Sequence, residues 1–441
     1  MSISARLDDV EASTIRRITW RFMPILLLAY LAAYIDRVNV GFAALTANKD
    51  LGLSSVQFGF GAGLFFWGYC AAQVPSNLMM LRYGPRRWFA RILISMGILA
   101  AAMMVVVGPR SFYAVRLALG VAEAGFLPGM IYFLRCWFPA RHRANVMAIL
   151  LLGIPLSSLI GSPISGALLG LNGVFGLHGW QWLYLLEGIP CIVFGVLMLF
   201  MLTETPDEAT WLSTEQRDWL TRQLAEEIAV RGDGSQEPPW WKLVIDIRVI
   251  CYGLAFFGVT AGSYGLSFWL PQIVKAFGVS NLVTGFIVAI PFGFGCAATI
   301  VWARHSDRRQ ERIYHTALPA FLSAAGLAAC MVVHSPVLTM AALTVAALGI
   351  FGIRGPYFAL AAEDFGRTAA APGIAWIDTF AALGGFFGPT IVGWLKQATG
   401  SFTWPMGALA LLALMGGLIV LARGFFRERA VRTRLEDVPK C

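Results

Sequence analysis

The sequence predicts an all-α membrane protein with twelve transmembrane helices arranged as two six-helix bundles. The chain of 441 residues is 58% hydrophobic and only 13% charged, whereas a soluble domain carries roughly 25% charged residues. Apolar runs of about 20 residues, the length that crosses a hydrocarbon core, recur along the whole chain. Alternating polar and apolar strands are almost absent, which favours a helical bundle over a β-barrel.

The apolar runs fall into two sets of six, separated by a long charged segment. The predicted helices lie near residues 20–46, 56–82, 88–107, 111–135, 143–171, 180–202, 246–276, 283–304, 313–333, 337–361, 370–396 and 404–424. We therefore predict an N-terminal bundle (1–202), a cytoplasmic linker (203–245) and a C-terminal bundle with a basic tail (246–441). The linker is predicted to contain a short amphipathic helix from about Glu215 to Val230.

Arginines concentrate at alternate ends of the predicted helices. They are Arg16, Arg17, Arg21, Arg82, Arg86, Arg87, Arg135, Arg141, Arg143, Arg304, Arg308, Arg309, Arg312 and those of the C-terminal tail. Positive charge marks cytoplasmic loops, so both termini are expected to be cytoplasmic. The net charge of +9 is then a topology signal, and we expect no nucleic-acid partner. The polar start, MSISARLDDVEASTIRR, lacks the apolar core of a signal peptide.

The sequence offers little support for an enzyme. Its seven cysteines do not cluster, and it contains no phosphate-binding P-loop and no Gly-x-Ser-x-Gly elbow. The histidines fall in loops or near helix ends, where we expect them to face solvent without metal-ligand neighbours: His142, His178, His305, His315 and His334. We expect a monomer in the lipid bilayer with no metal and no cofactor.

Two adjacent charges, Asp36 and Arg37, interrupt the first apolar run. A charge at the centre of a bilayer costs at least about 3 kcal/mol, so such residues usually serve function. On the fourth predicted helix, Arg116 and Glu123 are seven residues apart and therefore share one face. A buried carboxyl group can carry a proton, while arginine stays charged and offers a planar fork to a carboxylate. The alternative is a static ion-pair network that locks the first bundle.

Several segments resemble one transporter family. They are YIDRVNVGFA, GYCAAQVPSNLMMLRYGPRRWFAR, VRLALGVAEAGFLPGMIYFLRCWFP, SFWLPQIVKAFGVSN, ARHSDRRQER and ALGGFFGPTIVGWL. Between about Arg16 and Arg423 the chain resembles the major facilitator superfamily, and within it the anion:cation symporter family. The resemblance is nearest to bacterial tartrate, aromatic-acid and galactonate permeases.

The resemblance implies roles for particular residues. The proton-coupling acids of the family fall on Asp36 and Glu123, and its arginines for the substrate anion fall on Arg37 and Arg116. Further substrate-binding candidates are Tyr34, Tyr69, Asn39, Tyr264, Gln272, Trp376, Asp378 and Arg354. Trp269 is a weaker candidate, because aromatic residues in membrane helices more often serve packing.

Arg354 and Asp378 depart from the pattern of similar transporters, which typically carry an asparagine at the position of Asp378. Counted from the cytoplasmic ends of the tenth and eleventh predicted helices, the two residues lie at similar depth. We expect them to pair across these helices. Such a pair would either fix the second bundle or let Arg354 meet a second polar group of the substrate.

These observations predict proton-coupled uptake of a small organic carboxylate by alternating access, in a bacterial inner membrane. Two alternatives stay open: an organic-anion exchanger or facilitator, and a sensor that binds without transport. The sequence leaves the acid open among tartrate-like, sugar-acid and aromatic-acid substrates.

Overall fold

The computed structural model describes residues 3–231, 242–243 and 245–436, which fold into α-helices joined by short turns. The helices before the linker are α1 (Ile3–Val38), α2 (Val40–Asp50), α3 (Ser55–Tyr83), α4 (Pro85–Ala102), α5 (Pro109–Glu123), α6 (Phe126–Trp137), α7 (Ala140–Leu168) and α8 (Gly179–Met201). The linker contains α9 (Thr214–Arg231). The later helices are α10 (Ile247–Lys275), α11 (Asn281–Arg309), α12 (Ile313–Ala329), α13 (Pro336–Gly352), α14 (Arg354–Thr399) and α15 (Thr403–Glu436).

Each of the twelve predicted spans is mainly helical in the structure. Ten helical runs in the described part of the chain are long and apolar enough to cross a membrane. The apolar α12, with 17 residues, is shorter than these runs, and α3, with Gln73 and Asn77 in its second half, is not among them. The helix predicted in the linker is confirmed as α9.

The first predicted span is divided at Asn39. Its backbone keeps near-helical angles (φ −59°, ψ −23°), and its N–H donates to the Ile35 carbonyl oxygen at 2.9 Å. The division is therefore a local irregularity rather than a sharp bend. It leaves Asp36 and Arg37 in the last turn of α1.

The fourth predicted span is broken more sharply, between Glu123 and Phe126. Ala124 is extended (ψ 133°) and Gly125 has φ 85°, a left-handed conformation that glycine adopts at little cost. The hydroxyl of Ser76 donates to the buried Ala124 carbonyl oxygen at 2.5 Å. Glu123 is therefore the last residue of a helix, beside an irregular turn.

The helices before and after the linker pack against each other through α2 with α10, α3 with α14, and α7 with α11. The backbones approach closely at glycines. A methyl group added at Gly166 would lie 2.6 Å from the Asn281 carbonyl oxygen, and one at Gly285 would lie 2.5 Å from the Ser162 carbonyl oxygen. These contacts lie toward the helix ends that are remote from the arginine-rich loops.

The linker helix α9 is fastened to the first set of helices. Arg143 Nη2 donates to Glu227 Oε2 at 2.8 Å, and Arg17 Nη1 donates to Gln216 Oε1 at 3.1 Å. Just before α9, the ring of Trp211 stacks on that of Trp137 with a centroid distance of 5.7 Å. These contacts hold α9 against the helices that precede it.

The expectation that all five histidines face solvent is wrong for His315. This residue is buried at the start of α12, where Nδ1 contacts Glu311 Oε2 at 2.5 Å and Nε2 contacts His305 Nδ1 at 2.7 Å. Burial tends to raise the pKa of Glu311, but hydrogen bonds from the His315 side chain and from the backbone N–H groups of Tyr314 and His315 hold that pKa below its ordinary value. The short turn after α11 lets these groups meet.

Candidate functional site

The centre of the candidate site is a buried contact between Arg37 of α1 and Glu123 of α5. Arg37 donates from Nε to Glu123 Oε1 at 3.0 Å, and its Nη2 makes a very short contact with the same oxygen. The Glu123 side chain is 1% exposed, and its Oε2 has no hydrogen-bond partner. The break after α5 places this carboxyl group at a helix end, where it can meet the last turn of α1.

Arg37 also reaches the second set of helices. Its Nη1 donates to the Tyr264 hydroxyl on α10 at 2.9 Å. Its guanidinium lies over the rings of Tyr34 and Tyr69, with distances of 5.2 and 5.4 Å from Cζ to the ring centroids. The structure thus brings three predicted tyrosines around the predicted arginine, and aromatic faces stabilise a cation held this way.

Asp36 points away from Arg37, as their spacing on the helix requires. Its Oδ1 accepts a hydrogen bond from Asn39 Nδ2 at 3.3 Å, and both residues are buried. In the described residues no arginine or lysine comes within ion-pair distance of this carboxyl group. Asp36 is therefore a buried acid whose hydrogen-bond donor among the described side chains is an amide.

Arg116 is 1% exposed and lies on the same face of α5 as Glu123. Its Nη2 donates to the Ala62 carbonyl oxygen at 3.0 Å, its Nε has no hydrogen-bond partner, and its guanidinium lies over the Phe65 ring. Asp36 and Glu123 are both within range of its charge. Arg116 thus lies within charge range of both predicted acids, and among the described residues it forms no direct ion pair with either.

Glu187 of α8 is a buried acid that the sequence reasoning missed. The Ser165 hydroxyl donates to its Oε1 at 2.6 Å, its Oε2 has no partner, and its side chain lies next to Asn39. A lone glutamate in the apolar stretch LYLLEGIPCIV was the available signal. With Glu187 of α8, Asp36 of α1 has two buried acids within charge range, the other being Glu123 of α5.

The expected pair between Arg354 and Asp378 is not formed in the structure, since no nitrogen of Arg354 lies within 4 Å of the Asp378 carboxylate among the described contacts. Arg354 Nη2 donates to the Ser263 hydroxyl at 3.4 Å, and its Nε is buried without a partner. Asp378 instead accepts from Gln73 Nε2 of α3 at 3.5 Å. Asp378 nevertheless lies within range of the charges of Arg37 and Arg354.

Gln272 and Trp376, two predicted substrate contacts, have the following neighbours. Gln272 Oε1 accepts from Lys396 Nζ at 2.9 Å, and that ammonium lies over the ring of Trp269, 4.9 Å from its centroid. Trp376 packs against the hydrophobic core of the second set of helices. Gln272 thus lies beside Lys396 rather than beside Arg37.

The comparisons with known proteins agree with this architecture. The model of the Major Facilitator Superfamily matches residues 26–389. A "Putative tartrate transporter" of Agrobacterium vitis is 46% identical, covering 97% of this chain and 95% of the relative. A "Quinolone resistance transporter" of Acinetobacter baumannii is 39% identical, covering 92% of this chain and 94% of the relative.

Similarity of fold extends to solved structures. The xylose transporter XylE from E. coli, in a partially occluded inward open conformation, superimposes with a TM-score of 0.70 at 14% identity, covering 90% of this chain and 96% of that one. At that identity the likeness concerns the fold alone. The family match, the relatives and the fold together mark a membrane transporter rather than an enzyme, and the chain belongs to the Major Facilitator Superfamily.

Proposed function

We propose that the protein takes up a small organic carboxylate together with protons across the inner membrane of a bacterium, by alternating access. The proposal rests above all on the buried pair of Arg37 and Glu123, in which a permanent cation is neutralised by a group that can accept a proton. A proton on Glu123 would leave Arg37 without its counter-charge. A carboxylate from outside could then take the place of Glu123.

The electrostatic balance of the site supports coupling to protons. Four carboxyl groups, those of Asp36, Glu123, Glu187 and Asp378, lie near three guanidinium groups, those of Arg37, Arg116 and Arg354. An arriving anion would increase the negative charge in a low-dielectric site, which is costly. Protonation of Asp36 and Glu123 offsets that charge, so proton binding and substrate binding favour each other.

The cycle follows from the two sets of helices. We propose twelve spans in two six-helix bundles, residues 1–202 and 246–441, joined by the linker 203–245, with both termini in the cytoplasm. Protons and substrate enter from outside, the bundles rock about the site, and both leave inside. The arginine-rich loops support this orientation, and the tight packing at the opposite helix ends supports an inward-facing state here.

The choice of a carboxylate is supported by the paired arginine and by relatives. Arginine binds carboxylates through a planar fork that other cations lack. The 46% identical relatives from Agrobacterium vitis are named for transport of tartrate, an organic acid. A second candidate function, export of a drug, is favoured only by the name of the 39% identical relative.

Purified protein in liposomes tests the proposal. With an acid exterior and radiolabelled organic acids, we expect accumulation above the external concentration, and we expect a protonophore to abolish it. Uptake that instead requires an organic anion on the other side would indicate an exchanger. Binding without any flux would indicate a sensor, and failure to bind or move any carboxylate would overturn the proposal. Empty liposomes and the Arg37→Ala variant serve as controls.

A further inference from the structure

Arg354 is a partly buried cation, and among the described residues no carboxylate lies within ion-pair distance of it. In that part of the chain Arg354 Nη2 donates one long hydrogen bond, to the Ser263 hydroxyl, and the guanidinium faces the rings of Phe256 and Phe351 at 5.8 to 6.0 Å. Its Nε is buried without a partner. An arginine cannot give up its charge, so a buried guanidinium left in this way is expensive unless another anion meets it.

Arg354 and Arg37 belong to opposite sets of helices, and each donates a hydrogen bond to α10. Arg37 contacts the hydroxyl of Tyr264, and Arg354 contacts the hydroxyl of Ser263, the preceding residue on α10. The phenol of Tyr34 on α1 lies within range of both cationic charges. The carboxyl group of Asp378 also lies within range of both. The two guanidinium groups, one from α1 and the other from α14, thus share Tyr34 and Asp378 as electrostatic neighbours.

We propose that this site takes a small dicarboxylate, with one carboxylate bound by Arg37 and the second by Arg354. The inference rests on the proposed function, since it assigns the substrate class of the same site. A dicarboxylate would supply the counter-charge that Arg354 lacks, and a monocarboxylate would leave Arg354 as it is. Because the two arginines belong to different sets of helices, the dicarboxylate would also link both.

Asp378 does not remove the need for this second anion. It lies within range of the Arg354 charge, but its direct partner is Gln73 of α3. The Arg354 guanidinium instead lies on Ser263 of α10 and between aromatic rings. A ligand carboxylate could meet Arg354 without first breaking an ion pair, whereas at Arg37 it must replace Glu123.

The test compares two ligands that differ in one carboxylate. Tartrate and threonate share a four-carbon hydroxylated chain, and threonate carries a hydroxymethyl group in place of the second carboxylate. Their affinities for the purified full-length protein are measured by titration calorimetry at one pH and salt concentration. A hydrogen bond to a charged group contributes to the binding free energy. We therefore expect tartrate to bind about 10- to 100-fold more tightly than threonate.

Variants of Arg354 connect that preference to the side chain. Arg354→Gln should bring the affinity for tartrate down to about that for threonate and leave threonate binding unchanged. Arg354→Lys should retain part of the preference, because it keeps the charge and loses the fork. Arg110→Gln, which removes an exposed arginine far from the site, is the control for the loss of one positive charge.

The outcomes separate the inference from the proposed function. Wild-type protein that binds threonate as tightly as tartrate, or that binds monocarboxylates alone, overturns the inference and leaves the proposed function standing. An equal loss of both ligands in Arg354→Gln also overturns it, since the residue would then only support the fold. If Arg354→Gln cannot be purified, the wild-type ratio and Arg354→Lys decide. Binding of no carboxylate at all overturns both.

Discussion

Arg37 directs two of its nitrogens, Nε and Nη2, to a single carboxylate oxygen of Glu123, and the other oxygen of Glu123 has no hydrogen-bond partner. The pair is therefore asymmetric. One carboxylate oxygen holds the cation and the other is open to a proton. The same guanidinium donates to the Tyr264 hydroxyl on α10, so Arg37 joins Glu123 to the second set of helices.

Replacing the acids by amides should uncouple transport from protons. We expect Glu123→Gln and Asp36→Asn each to abolish accumulation driven by a pH gradient, because an amide resembles the protonated acid but cannot release a proton. At least one of the two should still bind substrate and exchange it across the membrane, which counterflow in liposomes measures. If both variants still concentrate substrate under an acid exterior, the assignment of these residues is wrong.

Replacing the arginines by lysine should weaken substrate binding even though the charge is kept. Arg37→Lys and Arg116→Lys lose the fork that binds a carboxylate through two nitrogens, and we expect affinity to fall by about 10-fold or more. Binding to the detergent-purified variants measures this, with melting temperature as the control for folding. If both variants bind substrate with wild-type affinity, the two arginines stabilise the bundle and do not bind the substrate.

Glu187 should contribute to coupling without being essential. Glu187→Gln keeps the size of the side chain and its bond from Ser165 but removes one ionisable group close to Asp36. We expect a smaller accumulation ratio at a given pH gradient, with counterflow retained. Ser165→Ala, which removes only the hydrogen bond, is the matched variant. An unchanged ratio of protons to substrate in Glu187→Gln would show that this carboxyl group serves structure alone.

Bulk at Gly285 should block transport by opposing the close contact of α11 with α7. A methyl group there would already lie 2.5 Å from the Ser162 carbonyl oxygen, and overpacking typically costs about 1–3 kcal/mol. The lower end of that range, about 1 kcal/mol, corresponds to about a 5-fold change. We therefore expect Gly285→Val to reduce uptake by at least about 5-fold. Gly170→Ala is the control, since nothing lies within 4 Å of the added methyl group. Equal uptake in both variants would contradict a role for this contact.

The helical plan could be predicted because hydrophobic runs of membrane length admit few other structures. The breaks at Asn39 and Gly125 could not, since apolar periodicity continues across both. Gly125 is the local sequence feature that indicates a break. Its left-handed backbone, which the sequence does not reveal, distinguishes it from the many glycines that serve helix packing. These breaks matter because they place Arg37 and Glu123 at the ends of helices that meet.

The spacing of residues in the sequence predicts how far along a helix a side chain lies better than it predicts which neighbouring helix that side chain faces. Arg354 and Asp378 were expected to pair on the ground of equal depth, yet one faces Ser263 of α10 and the other Gln73 of α3. The same limit applies to Gln272, whose neighbour is Lys396 rather than the charged centre. Which way a side chain faces depends on how each helix is rotated against its neighbours, and that is decided by packing across the whole bundle.

The double engagement of Arg37 bears on how well the cell retains its energy supply. Under the proposed cycle, an empty carrier with a proton on Glu123 would have to rearrange around a guanidinium that has lost its counter-charge, while it still holds Tyr264 of the other bundle. An unpaired buried charge costs several kcal/mol, so under the proposed cycle this step would be slow. A cell that depends on a proton gradient would then keep that gradient even when the substrate is scarce and the empty protein remains in the membrane.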